Sequence, residues 1–173
     1  MTLSDVNIQE YLSMKKLIIE PLVLGAIQPA SVDLRLGSEF MKIEKKQVIR
    51  SDHRVIYNKC KCDEFRIKPG EFILATTIEW LELPNNIVGE LSGKSSWGRR
   101  GLKIENAGFV DPGFKGNLTL EILNEGSAPV IIKKGEPICQ IEFRRTLTPA
   151  KNPYNGKYVG QSGTTGAKED KNE

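Results

Sequence analysis

The sequence predicts an all-β domain with a short helix at its N-terminus. From residue 30 onward, glycine and proline interrupt the chain about every ten residues, as at Gly37, Pro69-Gly70 and Pro112-Gly113. Between these breaks lie short apolar runs with strand alternation, such as FILATTIEWLEL and ICQIEFRRTL. Many short strands at this spacing are typical of a β-sandwich or β-barrel. With 173 residues, 39% of them hydrophobic, the chain fits one domain whose core needs no disulfide or structural metal.

One helix is predicted, near the N-terminus. Ser4 is of a residue type that caps helices, because its hydroxyl accepts a hydrogen bond from an unpaired N–H of the first turn. Ile8, Tyr11 and Leu12 then recur at helical spacing. No later segment shows this periodicity, and the glycines of WGRRG at 97–101 disfavour a helix there.

Two segments of the predicted β region repeat a short pattern. IKPGEFILA (Ile67–Ala75) and IKKGEPICQ (Ile132–Gln140) each place a Gly-Glu turn before an apolar strand. Two repeated Greek-key halves would produce such a sequence repeat, although K-x-G-E is also a common hairpin turn.

The composition and the termini exclude several classes of protein. The chain has 25 basic and 22 acidic side chains, and a net charge of +3 is too mild for a nucleic-acid binder with a basic stripe. The apolar segment LIIEPLVLGAI is broken by Glu20 and Pro21, so we expect no membrane span. The N-terminus lacks the regions of a signal peptide, and three cysteines, an odd number, argue against a secreted disulfide framework. We therefore expect a cytoplasmic protein.

A structural metal site is disfavoured by ligand spacing. The available ligands would be His53, Cys60, Cys62 and Cys139. Structural zinc sites usually bring C-x-x-C or H-x-x-x-H pairs, and the sequence has neither. Cys60 and Cys62 would share one face of a strand, which is not specific for a metal, so we expect ordinary packing or surface thiols.

The stretch LSGKSSWGRRGL at 91–102 contains GKS, the end of a phosphate-binding P-loop motif. A P-loop also requires a glycine five residues before Gly93, where this chain has Val88, and the loop must open into a helix. The P-loop is therefore excluded. Two hydroxyls, an ammonium and two guanidiniums between glycines nevertheless suit a polyanion.

Two acidic residues stand out further along the chain. Asp111 opens a D-P-G turn, and Glu121 lies within the strand NLTLEIL. Alternation along that strand places Leu118, Leu120 and Ile122 on one face and Glu121 on the other. An aspartate is common in turns and a glutamate is common on a solvated strand face, so the pattern alone does not bring the two acids together.

Five segments, in order, resemble the dCTP deaminase/dUTPase superfamily, and the chain is most similar to its dUMP-forming, bifunctional dCTP deaminases. These segments are QPASVDLRLG (28–37), GKSSWGR (93–99), NAGFVDPGFKGNLTLE (106–121), GEPICQ (135–140) and PYNGKYVGQ (153–161). Each segment alone is a weak signal, whereas five in the family order are specific. The resemblance implies a distorted jelly roll or β-barrel of the dUTPase-like type, assembled as a homotrimer with active sites at subunit interfaces. It also implies Mg²⁺ held mainly by the triphosphate and water, so no side chain is expected as a metal ligand.

The resemblance also implies roles for individual residues. Glu121 matches the family's general base and acid in deamination, with Ser95 and Arg99 orienting it and the water, and Asp111 matches the aspartate that activates water for pyrophosphate release. The residues expected to bind the substrate are Lys94, Ser96, Trp97, Gly98, Asn106, Ala107, Gly108, Thr119, Leu120, Gln140, Tyr154, Lys157 and Gln161.

The implied function is hydrolytic deamination of dCTP coupled to pyrophosphate release, giving dUMP, ammonia and diphosphate. The sequence lacks the H-x-E and P-C-x-x-C motifs of zinc-dependent deaminases. Three alternatives stay open: a dUTPase without deaminase activity, a dCTP deaminase that releases dUTP, and a catalytically silent nucleotide-binding relative. Lys94 stands where the family usually has arginine. The stretch between Leu102 and Asp111 is one residue shorter than in many deaminases of the family, and this difference leaves the choice of substrate open.

The domain organisation expected from the sequence is a single β domain over residues 1–162 followed by a flexible tail over residues 163–173. The tail sequence GTTGAKEDKNE has no large apolar residue to anchor it. Such a tail is either a frayed end or a segment that closes over a bound ligand.

Overall fold

The structure, a computed structural model, describes residues 1–50 and 53–169, and it confirms the all-β prediction. The two helices in this part of the chain are α1 (Asp5–Ser13) and α2 (Ser95–Gly98). The strands are β1 (Ile18–Glu20), β2 (Ile27–Gln28), β3 (Ser31–Arg35), β4 (Glu39–Ile43), β5 (Tyr57–Lys61), β6 (Glu64–Ile67), β7 (Phe72–Glu82), β8 (Ile87–Gly93), β9 (Leu102–Glu105), β10 (Lys115–Asn124), β11 (Val130–Lys133) and β12 (Pro137–Arg145).

Three antiparallel sheets enclose the core. A six-stranded sheet has the order β5-β4-β7-β10-β9, with β1 paired to β7. A four-stranded sheet has the order β2-β3-β12-β8, and β6 and β11 form a separate pair. The core between them holds side chains such as Leu34, Ile73, Leu120 and Ile141, all fully buried. Burial of these aliphatic side chains is the main favourable contribution to folding.

The N-terminal helix forms as predicted. The Ser4 hydroxyl accepts from the Asn7 N–H at 3.5 Å, and the Asn7 side chain accepts from the Ser4 N–H at 3.4 Å, so the two residues form a capping box. Ile8 is fully buried and attaches the helix to the core. Neither helix in the described residues is long and apolar enough to cross a membrane.

The repeated K-x-G-E pattern corresponds to two turns of the same construction. Glu71 accepts from the Lys68 N–H at 2.8 Å, and Glu136 accepts from the Lys133 N–H at 3.0 Å. The glycines of both turns have positive φ, 70° at Gly70 and 85° at Gly135. The strands that lead into these turns, β6 and β11, pair with each other, so the repeated sequence pattern corresponds to a repeated structural unit.

The strand β10 alternates as the sequence predicts, and this alternation positions Glu121. Leu118, Leu120 and Ile122 are buried in the core, whereas Thr119 and Glu121 on the opposite face are half-buried. The far end of the strand is held by Asn124, whose buried amide donates to the Ile67 and Ala128 carbonyls and accepts from the Gly126 N–H.

The structure adds a second, short helix to the one that the sequence predicts near the N-terminus. Ser95–Gly98 forms a single helical turn, with Lys94 as an N-cap in extended conformation and no side-chain cap. A single turn needs little helix propensity because it is held by the elements around it, and it ends at the first glycine.

Candidate active site

A cavity of about 520 Å³ lies where β10, the turn at 106–111 and the chain after Tyr154 meet. Residues that the sequence predicts for the site contribute a large part of its wall: Asn106, Ala107, Gly108, Asp111, Thr119, Glu121, Tyr154 and Gln161. The rest of the wall consists of Tyr57, Phe72, Leu74, Phe109, Val110, Phe114, Leu118, Tyr158, Thr165, Gly166 and Ala167. The fold therefore brings the region 106–121 together with residues 57, 72–74 and 154–167, which are distant from it in sequence.

Both singled-out carboxylates line this one cavity. Asp111 is exposed in its turn, and Glu121 is half-buried in the middle of β10. The Ala107 N–H donates to Glu121 Oε1 over a long 3.4 Å. Glu105 on β9 stands directly opposite Glu121, and its carboxylate is paired with Lys103 at 3.2 Å. The cavity thus offers two carboxylates able to accept protons from water.

An apolar wall stands beside the carboxylates. The rings of Phe114 and Tyr154 lie 6.1 Å apart and are tilted by 40°. The Tyr154 N–H donates to the Pro112 carbonyl at 2.8 Å, and a Cβ at Gly113 would lie 2.6 Å from Pro153. Only glycine permits this close approach at a φ of 90°. The D-P-G turn is therefore pressed against the chain after residue 152, and an aromatic surface faces the cavity.

The turn that precedes Asp111 is open to solvent. Ala107, Gly108 and Phe109 are exposed, and Gly108 adopts a φ of 93° with open space where a side chain would stand. The Arg144 guanidinium lies 6.0 Å from the centre of the exposed Phe109 ring. This arrangement leaves backbone N–H and C=O groups of the turn available to a ligand at the mouth of the cavity.

A second group of predicted residues lies outside this cavity in the single chain. We call residues 94–99 (KSSWGR) the phosphate turn, and none of them lines the 520 Å³ cavity. The strand β9 follows the turn, and its first residue, Leu102, pairs with Asn124, whereas its last, Glu105, pairs with Glu121. Three residues of strand span about 10 Å, so the turn lies near the end of β9 remote from Glu121.

Within the phosphate turn, Lys94 has a partner that sequence reasoning missed. Its Nζ lies 2.5 Å from Asp33 Oδ2, and the two side chains are 26% and 12% exposed. Asp33 is on β3, directly opposite Gln140 on β12. The segment SVDLRLG contains Asp33, but nothing in its spacing indicates a contact with a residue 61 positions later.

Trp97 and Arg100 cover a groove on the outer side of the turn. The Trp97 Nε1–H donates to the Pro137 carbonyl at 3.0 Å, and the Arg100 guanidinium lies 5.1 Å from the centre of the indole. The groove continues past Ile131, which is 50% exposed. Ser95, Gly98 and Arg99 are exposed.

Gln161 fixes the start of the C-terminal segment. It forms a parallel bridge with Gly116, and its side-chain Nε2–H donates to the Asn117 carbonyl at 2.6 Å. A Cβ at Gly116 would lie 2.8 Å from the Gln161 carbonyl oxygen, so glycine is required there. The Gln161 amide, predicted to bind substrate, therefore makes a backbone contact within the chain.

Residues after 162, predicted to be a flexible tail, follow the surface of the domain as far as the structure describes them. Five backbone N–H groups in the described part of this segment donate to side chains: Gly163 to Asn117, Thr164 to Glu39, Thr165 to Thr119, Ala167 to Tyr57 and Lys168 to Tyr158. The Thr164 hydroxyl donates to the Glu39 carbonyl at 2.6 Å, and Thr164 is buried. Polar contacts hold the described part of this segment in place of the missing apolar anchor. The predicted tail residues 170–173 lie outside the described residues.

Two lysines enclose Tyr158. Lys157 Nζ–H donates to the Lys168 carbonyl at 2.9 Å, and Lys168 Nζ–H donates to the Lys157 carbonyl at 2.6 Å. Each ammonium lies 5.5 Å from the centre of the Tyr158 ring. The pair concentrates positive charge beside the cavity wall.

Leu120, predicted to bind substrate, has its side chain in the core. It is fully buried, because alternation along β10 turns it away from Thr119 and Glu121. Its backbone pairs with Ala75 of β7, so only backbone groups of Leu120 are on the side of the predicted site.

No group of three or more histidine, cysteine, aspartate or glutamate side chains in the described residues could hold a metal ion. The three cysteines are free: Cys60 is exposed, Cys62 is half-buried and Cys139 is buried. Burial raises the pKa of the Cys139 thiol and, with help from Cys60, the pKa of the Cys62 thiol.

The sheet architecture and the acidic cavity define a class of protein, the dCTP deaminases and dUTPases. A 2′-deoxycytidine 5′-triphosphate deaminase from Agrobacterium tumefaciens superimposes with a TM-score of 0.67 at 28% identity, over 84% of this chain and 48% of that protein. This chain thus spans about half of that protein's length. A mutant dUTPase of phage phi11 of S. aureus shares the fold at a TM-score of 0.54 and 16% identity, over 81% of this chain and 97% of that one.

Residues 2–146 match the dCTP deaminase-like family, and the chain belongs to this family. It is 47% identical to a protein of Persephonella marina named dCTP deaminase, dUMP-forming, over 97% of both chains. A Sulfurihydrogenibium protein of the same name is 45% identical over 97% of both chains. A protein of Sulfolobus islandicus rod-shaped virus 1 named probable deoxyuridine 5′-triphosphate nucleotidohydrolase is 42% identical, over 98% of this chain and the whole of that protein.

Proposed function

We propose that this chain is a dUMP-forming dCTP deaminase, which converts dCTP and two water molecules into dUMP, ammonia and diphosphate. The observation that carries the proposal is that Asp111 and Glu121 line one cavity of nucleotide size. The names of the relatives from Persephonella marina and Sulfurihydrogenibium, which match nearly the whole chain, support the same reaction.

Glu121 is proposed as the proton carrier of the deamination. Water adds to C4 of cytosine, Glu121 takes the proton of that water and delivers it to the exocyclic nitrogen, and the C4–N bond breaks to release ammonia. Glu121 is half-buried on β10, which is paired with a strand on each side, and this pairing fixes the point from which its carboxylate enters the cavity. The exposed backbone of Asn106–Gly108 beside it is suited to reading the edge of the base.

Asp111 is proposed as the base of the second hydrolysis. It would accept a proton from a water aimed at the α-phosphorus, and the bond from that phosphorus to the bridging oxygen breaks to release diphosphate. The turn that carries Asp111 packs against Tyr154, and the Asp111 carbonyl accepts from the Phe114 N–H at 3.0 Å. The Phe114 ring, which packs near Tyr154, is proposed to cover the sugar.

The phosphate turn is proposed to hold the triphosphate through Lys94, Ser96 and backbone N–H groups, while Ser95 and Arg99 reach the reacting groups. Because the turn does not line the cavity of its own chain, we propose a homotrimer in which the turn of one subunit completes the cavity of its neighbour. Mg²⁺ is proposed to arrive with the triphosphate and to neutralise charge on its oxygens. We place the reaction in the cytoplasm, as the sequence predicts.

A second candidate is a dUTPase, and one relative favours it. The rod-shaped virus protein, named a probable deoxyuridine 5′-triphosphate nucleotidohydrolase, is nearly as similar as the relatives named deaminase. This reading needs Asp111 and the phosphate turn but gives no catalytic role to Glu121.

Product analysis separates the two candidates. The purified protein is incubated with Mg²⁺ and either dCTP or dUTP, and the nucleotides are resolved by chromatography while ammonia is measured in parallel. We expect dCTP to give dUMP and ammonia in equal amounts without accumulation of dUTP. Consumption of dUTP alone would establish the dUTPase, and dCTP turnover that stops at dUTP would remove Asp111 from its proposed role.

A further inference from the structure

We propose that Asp33 is a positioning residue of the triphosphate site, which acts by holding the Lys94 ammonium at the start of the phosphate turn. The inference rests on the proposed function, because it assigns to Lys94 a triphosphate oxygen as ligand. It adds a residue of β3 that the resemblance does not place among those that carry out or orient the reaction.

The first argument is the contact itself. Asp33 Oδ2 and Lys94 Nζ are 2.5 Å apart, and the Asp33 side chain is only 12% exposed. Among the side chains that the structure describes, Asp33 Oδ1 is the one buried oxygen without a hydrogen-bond partner. Buried carboxylate oxygens usually have partners, so this one is poised to accept a donor that the single chain does not supply.

The second argument is the position of Asp33 in its sheet. In the order β3-β12-β8, Asp33 lies opposite Gln140, and Gln140 in turn lies opposite Ser92. Side chains directly opposite one another share a face of the sheet, so the three residues form one polar row. Lys94 and Gln140 are both predicted to bind the substrate, and Asp33 contacts the first and lies opposite the second.

The third argument is what an ion pair does to a lysine. An ammonium has three N–H donors, so one hydrogen bond to Asp33 leaves two for phosphate oxygens. Lysine has a long flexible side chain, and ordering it at the moment of binding weakens affinity. Lys94 also stands where the family usually has arginine, whose rigid fork needs less support. Asp33 holds the Lys94 side chain in place before the triphosphate binds.

The test is a double-mutant cycle between Asp33→Asn and Lys94→Gln, read by steady-state kinetics. Asp33→Asn alone should raise KM for the triphosphate by about threefold to tenfold, the effect of ordering one side chain, and leave kcat nearly unchanged, because the lost interaction acts on binding. In the Lys94→Gln background, the same change should have almost no further effect on KM. Asp63→Asn is the matched control, since Asp63 pairs with Lys134 at 3.6 Å but is 82% exposed.

Several outcomes would overturn the inference. An unchanged KM would mean that Asp33 does not act on binding, and a lower KM would mean that its charge merely repels the triphosphate. Equal effects in both backgrounds would show a general structural role, which melting temperatures would then reveal. If Asp33→Asn does not fold, Asp33→Glu displaces the carboxylate by one methylene and is compared in the same two backgrounds. A wild-type protein that neither binds nor converts dCTP or dUTP would instead overturn the proposed function, and this inference with it.

Discussion

Glu121 shows at the scale of one residue how the strand ladder shapes the site. It faces Glu105 across the sheet, and like charges directly opposite one another are unfavourable. The Glu105 carboxylate is paired with Lys103 at 3.2 Å. Within the described residues, the Glu121 carboxylate accepts one hydrogen bond, the long one from the Ala107 N–H. A carboxylate without a strong internal partner is available for proton transfer.

Glu121→Gln should abolish ammonia release from dCTP, because an amide cannot take up and return the proton. The expected loss in kcat is about 10²-fold to 10⁴-fold, the usual contribution of a general acid–base group. The measurement is ammonia release under saturating dCTP, with dCTP binding checked by calorimetry.

The matched control for this change is Glu105→Gln. It removes the same charge from the facing strand position, but Glu105 does not line the cavity. Its kcat should stay close to the wild-type value. Equal losses of kcat in the two variants would mean that removing a negative charge from this part of the sheet is enough to cause the effect. Retained ammonia release in Glu121→Gln would mean that Glu121 is not the proton carrier.

Single residues also show what could be predicted from the sequence. Alternation along one strand placed Glu121 on the solvent side, because strand geometry is local. That Glu121 and Asp111 line one cavity, and that Lys94 contacts Asp33 61 positions away, depends on how the strands and turns pack together. Only the family resemblance, and not the residue pattern, suggested the first arrangement, and neither signal suggested the second.

At the scale of elements, the segment at 163–168 is held in a way that composition does not reveal. The sequence predicts a flexible tail that is either a frayed end or a segment that closes over a ligand, and its described part crosses the six-stranded sheet and lines the cavity with Thr165, Gly166 and Ala167. Two glycines lie close to neighbouring side chains: Gly163, whose φ is 68°, lies against the Glu39 carboxylate, and Gly166 lies against the Tyr57 ring. Composition shows whether a segment has apolar side chains that could anchor it. It does not show that backbone N–H groups can hold the segment, as they do here.

Tyr57→Phe should loosen this segment and raise KM for the triphosphate. The Tyr57 hydroxyl accepts from the Ala167 N–H at 3.1 Å, and one such bond contributes on the order of 1 kcal/mol. If the seated segment favours bound nucleotide, the expected rise in KM is about twofold to tenfold. Steady-state kinetics at varied dCTP measure it.

The control is Tyr11→Phe, which removes a tyrosine hydroxyl that accepts from Asn86 at 3.2 Å, away from the cavity. Its KM should match the wild-type value. An unchanged KM in Tyr57→Phe would mean that the segment rests on the domain without influencing the ligand.

At the scale of the whole molecule, the predicted site residues fall into two groups. The carboxylates line one cavity, and the phosphate turn lies beyond the other end of β9. Under the proposed function, a single chain therefore presents only part of the triphosphate site. The sequence contains the predicted parts in order, but it does not indicate whether one chain or two neighbouring chains build each site.

Mixing two inactive variants tests whether subunits share sites. Ser95→Ala removes a group of the phosphate turn, and Glu121→Gln removes the proton carrier. In trimers assembled at random from equal amounts, roughly a quarter of shared sites would contain an intact turn and an intact cavity. Ammonia release by co-refolded subunits should therefore recover to about that fraction of the wild-type rate.

The matched mixture combines Ser95→Ala with Arg99→Ala, two changes in the same turn. Every turn in that mixture is defective, so no recovery is expected. Recovery in neither mixture would mean that each chain builds its site alone, and the proposed sharing would be wrong.

The indole of Trp97 gives the phosphate turn an optical property. The chain has two tryptophans, and Trp80 is held in β7 by a hydrogen bond to Glu82 at 3.1 Å. Trp97 instead stands in the turn itself, half-buried, with a guanidinium over its ring. Indole emission responds to nearby charge and hydration, so one of the two tryptophans reports from the turn. If the turn binds the triphosphate as proposed, its arrival can be followed by light, in real time and without an added dye.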